Sequence, residues 1–241
     1  MFPQSYKSIL NASIALMGGI VLFCNQAAES LATSQTRSQT NTYTPSDRPK
    51  PQRTQGGGSR GCVNNQPVSL QLLVPQDHTA FTADSHPTFS WYVSTVPSMP
   101  MEIALVEEGV AQPILVKRLA VKNAGLLQFK LPQDTSGLEI GKEYRWTVSL
   151  VCNPERPSQS IYARAWIQRK DLSLNLHKDI LSKKSAYDKA LAYIRAGIWY
   201  DAIASIAEPK SNSSEIALAS NLLQDLLQQV GIKEASDLKL L

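Results

Sequence analysis

Leu138-Glu139-Ile140-Gly141-Lys142-Glu143-Tyr144-Arg145-Trp146-Thr147-Val148-Ser149-Leu150-Val151-Cys152 is the stretch on which the fold turns. Tyr144, Trp146, Val148, Leu150 and Cys152 alternate with Arg145, Thr147 and Ser149, the period of a strand that lays one face on a core. The same alternation recurs upstream in Val68–Val74, Phe89–Val93, Met101–Leu105, a run near Ile114–Val121, and Leu127–Leu131. It recurs downstream in Ile161–Ile167. Pro, Gly, Asn, Asp and Ser separate these runs, so the spacing predicts seven antiparallel strands arranged as a β-sandwich from about Gly61 to Arg169.

Within the deciding stretch, Tyr144 near the start of a late strand resembles the tyrosine corner of immunoglobulin-like and fibronectin type III domains. Trp91, after His86-Pro87-Thr88-Phe89-Ser90, resembles the buried tryptophan of that class. Such a resemblance implies a fold and carries no function.

After Arg169 the period becomes helical. Tyr187, Ala190, Leu191 and Ile194 share one face ended by Gly197, and Trp199, Ala202, Ile203 and Ile206 form a second set stopped at Pro209. Asn212 stands as an N-cap with Glu215 three residues on, followed by Ile216, Ala219, Leu223, Leu226 and Val230 and closed by Gly231. These hairpins resemble tetratricopeptide units, although no clean 34-residue repeat accompanies them. The fold class expected is therefore α+β: an immunoglobulin/fibronectin-III-like sandwich over 61–169, then a small helical, tetratricopeptide-like domain over 170–241.

Lys7 followed by the mostly apolar Ile9–Phe23 reads as a signal peptide over residues 1–32, with Ser30 and Ala32 as the small residues before a cut after Ala32. A lipidated Cys24 is disfavoured by Phe23, and an uncleaved anchor by the short apolar run. The expectation is an exported protein, periplasmic or extracellular, without a stable membrane span after cleavage. Cleavage leaves Cys62 and Cys152, and an even pair in an exported protein favours a disulfide over two buried thiols.

Residues 33–60 hold Arg37, Arg48, Lys50, Arg53 and Arg60 against Asp47 and contain no aliphatic residue, so a disordered basic arm is expected there. The run Gly56-Gly57-Gly58-Ser59-Arg60-Gly61 lacks the Lys-Ser/Thr ending of a phosphate loop and reads as a hinge or a place of close backbone approach. Gly61–Leu241 carries equal numbers of acids and bases, which argues against a nucleic-acid-binding fold.

Five phrases occur in order: Gly56 to Cys62, His86 to Tyr92, Tyr144-Arg145-Trp146 through Cys152, Ala196-Gly197-Ile198-Trp199-Tyr200-Asp201-Ala202, and Leu226 to Gly231. Together they resemble an exported cyanobacterial family catalogued as domain of unknown function 928. The resemblance implies a cell-envelope or secreted location and a shared fold, and it brings no activity, cofactor or catalytic residue.

The three histidines are His78, His86 and His177, and none has the spacing of a metal site or a nucleophile's base. A hydrolase or metal-dependent enzyme would have to use the Asp77–His86 loop with Asp84, and no catalytic residue, metal or cofactor is assigned. The reading favoured is a non-catalytic binding or scaffolding component of the cell envelope, its partner a protein or an envelope polymer. Candidate contact residues are Tyr162 and Trp166, opposite Ile161 and Ile167 on the last strand, and Trp199 and Tyr200 at the helical junction. The competing expectation for these aromatics is that they pack in the core or between domains.

Overall fold

Nine strands and four helices build the part of the chain that the computed structural model describes, residues 41–47, 49, 50, 52–57, 68–208, 212–233, 238 and 240. The strands are β1 (Arg53–Gly57), β2 (Leu70–Leu72), β3 (Ala80–Thr82), β4 (Thr88–Val93), β5 (Met101–Glu107), β6 (Leu115–Leu119), β7 (Gly125–Lys130), β8 (Glu143–Leu150) and β9 (Ile161–Arg169). The helices are α1 (Leu174–Ser182), α2 (Ala186–Arg195), α3 (Trp199–Ile206) and α4 (Ser213–Gln229). All seven expected strands form. Two more, β1 and β3, join them.

Period-two patterning explains the packing directly. In β8, Tyr144, Trp146, Val148 and Leu150 are buried while Glu143, Arg145, Thr147 and Ser149 remain partly exposed. β5 and β4 obey the same rule through Met101, Ile103 and Leu105, and through Phe89, Trp91 and Val93. Hydrogen bonding runs in the order β6-β5-β8-β9-β1-β2-β4-β7, antiparallel throughout, with β3 added parallel to β9. The sheet curls so that its two halves face each other: the Trp146 ring of β8 lies 4.9 Å from Phe89 and 6.5 Å from Trp91 of β4, centroid to centroid. The architecture is thus α+β, a mostly antiparallel curled sheet with four helices.

β1 is the seam that joins the two halves, pairing β9 on one side and β2 on the other. Its sequence, Arg-Thr-Gln-Gly-Gly, has no aliphatic side chain, so hydrogen bonding to two waiting edges rather than burial makes it a strand. Gly56 is required there: a Cβ would sit 2.7 Å from the Leu70 Cβ and 3.2 Å from the Ile161 Cγ2. Close backbone approach is therefore the part this glycine plays, and Gly58 to Gly61 lie outside the described residues.

Much of the expected disordered arm is correspondingly ordered. Upstream of β1 the chain runs as a strap along Gln76–Thr79, with Lys50 N–H donating to the Asp77 carbonyl at 2.9 Å and Gln52 N–H to the Gln76 carbonyl at 3.0 Å. Tyr43 is 4% exposed, its ring edge-on to Trp199 at 4.8 Å. One aromatic with a deep socket supplies the apolar burial that the surrounding Ser, Thr and Gln cannot.

The helices do not stand apart as a separate body. Thr40–Leu241 form a single compact unit, and Trp199, Tyr200, Ala202, Ile203 and Ile206 of α3 belong to the same apolar cluster as Phe89, Trp91 and Trp146. Local signals fix the helix ends: Asn212 Oδ1 accepts the Glu215 N–H at 2.9 Å, Ser185 Oγ accepts the Asp188 N–H at 3.0 Å, and Gly197 turns the chain at φ 72° between α2 and α3. No helix among the described residues is long and apolar enough to cross a membrane.

Candidate functional site

Opposite parity on β9 separates the candidate aromatics from the core. Ala163, Ala165 and Ile167 point inward and are fully buried, whereas Tyr162, Arg164 and Trp166 lie on the outer face. Tyr162 and Trp166 are half-buried because cations cover their rings. Lys50 Nζ stands 3.6 Å from the Trp166 ring centroid and Arg145 Cζ 5.8 Å from it. Arg53 Cζ lies 4.5 Å from the Tyr162 centroid while its Nη1 donates to the Tyr162 hydroxyl at 3.0 Å. Lys50 and Arg53, from the segment whose charge suggested a solvated arm, are seated on the two rings.

A pocket of about 260 Å³ opens beside Trp166, with Val106, Glu107, Glu108, Val110 and Arg145 in its wall. The β5–β8–β9 register explains the meeting, since Val106, Arg145 and Trp166 are direct cross-strand partners. Lys50 bonds Glu143 at 2.6 Å and Glu108 at 2.9 Å. Burial works against its charge, yet the two carboxylates win and hold the ammonium above its ordinary pKa. Glu143 moves the opposite way, since the Lys50 bond outweighs burial and keeps its carboxyl below the usual range. Glu107 is tied to Lys142 at 3.0 Å. Among the described residues no carboxylate pairs with Arg145, so it is the pocket's uncompensated charge.

Trp166 is anchored through its backbone. Beside it β1 has ended, and the Gln52 side chain takes the vacated place, accepting the Trp166 N–H at 2.9 Å and donating to the His78 carbonyl. From the interior, the Tyr200 hydroxyl donates to the Trp166 carbonyl at 3.2 Å. Tyr200 and Trp199 are core residues, 2% and 0% exposed, and cannot touch a partner. Trp199 donates its indole N–H to the Leu73 carbonyl at 2.8 Å. The candidate contact residues thus divide into two outward ones and two that the burial assigns to the core.

The Asp77–His86 loop distributes its polar atoms differently from an enzyme centre. His78 is buried, with Nδ1 2.7 Å from Asp77 Oδ1 and Nε2 3.1 Å from the Tyr43 hydroxyl. This Asp–His–Tyr chain does not activate the phenol: burial, with Asp77 adding to it, pushes the Tyr43 pKa far above its ordinary value. Its work is to hold the strap. His86 bonds Ser85 Oγ at 3.0 Å and approaches the Thr135 carbonyl at 3.3 Å. Asp84 accepts from Lys130 at 2.6 Å, and although burial raises its pKa, Lys130 and the His86 N–H hold the carboxyl below its ordinary value. Among the described residues no three His, Cys, Asp or Glu are grouped to hold a metal ion. Cys62 lies outside the described residues, and Cys152, just past β8, is engaged rather than free.

One carboxylate that sequence reasoning passed over is Asp201 on α3. Its Oδ2 accepts from Thr82 Oγ1 at 2.7 Å and from the Ala83 N–H at 3.1 Å, docking the helix on the end of β3. Burial outweighs these bonds and pushes its pKa up to about 6.

The family described as Domain of Unknown Function (DUF928) matches residues 55–240. No curated protein matches the chain. Among solved structures, a multi-domain immunophilin from Arabidopsis thaliana is similar at 9% identity over 72% of this chain and 92% of that one, with a TM-score of 0.11, a likeness that carries no argument.

Proposed function

This chain belongs to the DUF928 family, and from that premise we propose that it serves as a non-catalytic binding or scaffolding component of the cell envelope. The observation that carries the reading is the outer face at Trp166: a shallow pocket, two aromatic rings dressed with cations, and an arginine without a carboxylate partner among the described residues. Its backbone is held from both sides by Gln52 and Tyr200, the preorganisation that a recognition surface needs. Histidines engaged in structural bonds within the Asp77–His86 loop support a binding role over a hydrolytic one.

Four finer statements belong to the same proposal. An immunoglobulin/fibronectin-like origin of the sheet is supported by the Tyr144 hydroxyl, which accepts the Glu139 N–H at 2.9 Å as a tyrosine corner does; the tetratricopeptide likeness of the helices rests on their hairpin order. Export rests on the apolar Ile9–Phe23 segment, which lies outside the described residues. A Cys62–Cys152 bridge rests on the cysteine count and on the engaged state of Cys152.

Sedimentation of the purified chain with isolated envelopes tests the binding reading. Retention is expected for the parent and is expected to fall when Trp166→Ala and Tyr162→Ala are combined, provided the variant still unfolds cooperatively. Equal retention would remove this face from the reading, and a parent chain that stays in the supernatant would end it.

A further inference from the structure

We propose that the outer face of β5, β8, β9 and β1 binds an acidic polysaccharide, with a sugar carboxylate seated on Arg145 in the Trp166 pocket and a further carboxylate on Arg164. This deepens the binding reading and rests on it.

The register places three rows across the face: Glu102, Ser149 and Tyr162; then Ala104, Thr147, Arg164 and Arg53; then Val106, Arg145 and Trp166. The middle of the face is floored by the small side chains of Ala104, Thr147 and Ser149, and taller aromatic and arginine side chains rise along β9 and β1. A shallow trough with hydroxyls in its floor results. Arg53 and Arg164 are exposed and Arg145 is half-buried. Neither Arg145 nor Arg164 meets a carboxylate among the described residues. Lys50 differs, its charge being spent on Glu108 and Glu143.

The Arg145 and Arg164 guanidinium groups, in adjacent rows on neighbouring strands, repel one another unless an anion lies between them, and each is a planar fork shaped for a carboxylate. Adjacent rows on one face lie roughly 7 Å apart, so Arg145 and Arg164 are spaced for two charges of one ligand rather than for a single carboxylate. The rings decide the rest. Lys50 covers Trp166 and Arg53 covers Tyr162, so these rings hold cations in place and are not open platforms for nucleic-acid bases. A protein partner would need an apolar centre, and here the centre is Ala104, Thr147 and Ser149. Hydroxyl-rich sugar units can bond Thr147 and Ser149 while their carboxylates take the arginines. At about 260 Å³ the pocket falls below the range for drug-sized ligands and suits a single ring.

Calorimetric titration of the full chain with polygalacturonate, at low and at physiological salt, tests the proposal. Binding is expected, with none to neutral dextran, and Arg145→Gln with Arg164→Gln should weaken it about tenfold or more. A control of equal charge change, Lys178→Gln on α1 with Lys184→Gln just beyond its end, both exposed, should leave it within about twofold. Equal loss in both pairs would mean attraction by net charge alone and would overturn the proposal. So would binding to vesicles rich in anionic lipid without binding to the polymer. If envelope retention needs Trp166 while polygalacturonate fails to bind, the acidic-sugar inference falls and the binding reading stands; if neither occurs, both fall.

Discussion

Tyr200 accepts the Trp146 indole N–H on its hydroxyl at 2.8 Å, and passes its own proton toward the Trp166 carbonyl at 3.2 Å. One phenol on α3 thereby satisfies a buried donor in the centre of the sheet and fixes the strand that carries the outer aromatic. Burial, with the Trp146 bond opposing it, drives the phenol's pKa well above its ordinary value, so it stays a neutral donor throughout the usable pH range.

Tyr200→Phe keeps the ring and removes both bonds, orphaning the Trp146 N–H at a position 0% exposed. Each stranded buried group costs roughly 1–3 kcal/mol. Urea unfolding is expected to show a lower midpoint with an unchanged slope, and envelope retention to weaken together with it. A variant as stable as the parent would mean that the hydroxyl is not the link between α3 and β9.

The seam strand makes a sterically sharper prediction. Gly56→Ala drives a Cβ against Leu70 and Ile161, both fixed in strands, so β1 must shift or detach at a cost of about 1–3 kcal/mol. Hydrogen exchange over 53–57 should be slow in the parent and accelerated in the variant. Fast exchange in the parent would restore the disordered arm.

What could be read from the chain beforehand follows from where each signal is stored. The alternation in Tyr144–Leu150 and the capping at Asn212 are local, and both appear in the structure as expected. β1 was invisible because its strand character resides in the edges of β9 and β2, far away in sequence. The one local hint was Tyr43, a lone aromatic in a polar run. Parity on β9 placed Tyr162 and Trp166 outward, but Arg145 and Val106 reach them only through strand register. Trp199 and Tyr200 carry the same side-chain types as the outer pair, so nothing short of packing separates core from contact surface.

The proposed Cys62–Cys152 bridge would close a loop of about ninety residues and contribute on the order of 4 kcal/mol by restricting the unfolded chain. In chain purified without reductant, neither cysteine should react with an alkylating reagent until reductant is added, and reduction should lower the unfolding midpoint. Alkylation of both thiols without reductant would dispose of the bridge, whereas unchanged stability on reduction would show it to be incidental to the fold.

Asp201 sets a pH dependence of definite sign. Its folded pKa of about 6 exceeds the ordinary carboxyl value of 3.8, so the folded chain holds a proton that the unfolded chain has already lost. The stabilising contribution is full below about pH 4, declines as pH rises through 6, and is absent at 7. Asp84 acts on Asp201, and after burial Asp201, Asp84 and Glu208 all push the Tyr193 pKa up, so negative charge accumulates here on deprotonation. Asp84 itself shifts the other way and contributes the opposite slope, which is why the difference between parent and variant is the quantity to measure. Asp201→Asn keeps an oxygen for Thr82 and Ala83 and removes the charge. Since the residue is partly exposed, a gain of roughly 1–2 kcal/mol at pH 7 is expected, vanishing by pH 4. Paired urea titrations across pH 4–8 would show it; parallel curves would mean that Asp201 titrates normally and that α3 docks without a pH-sensitive contact.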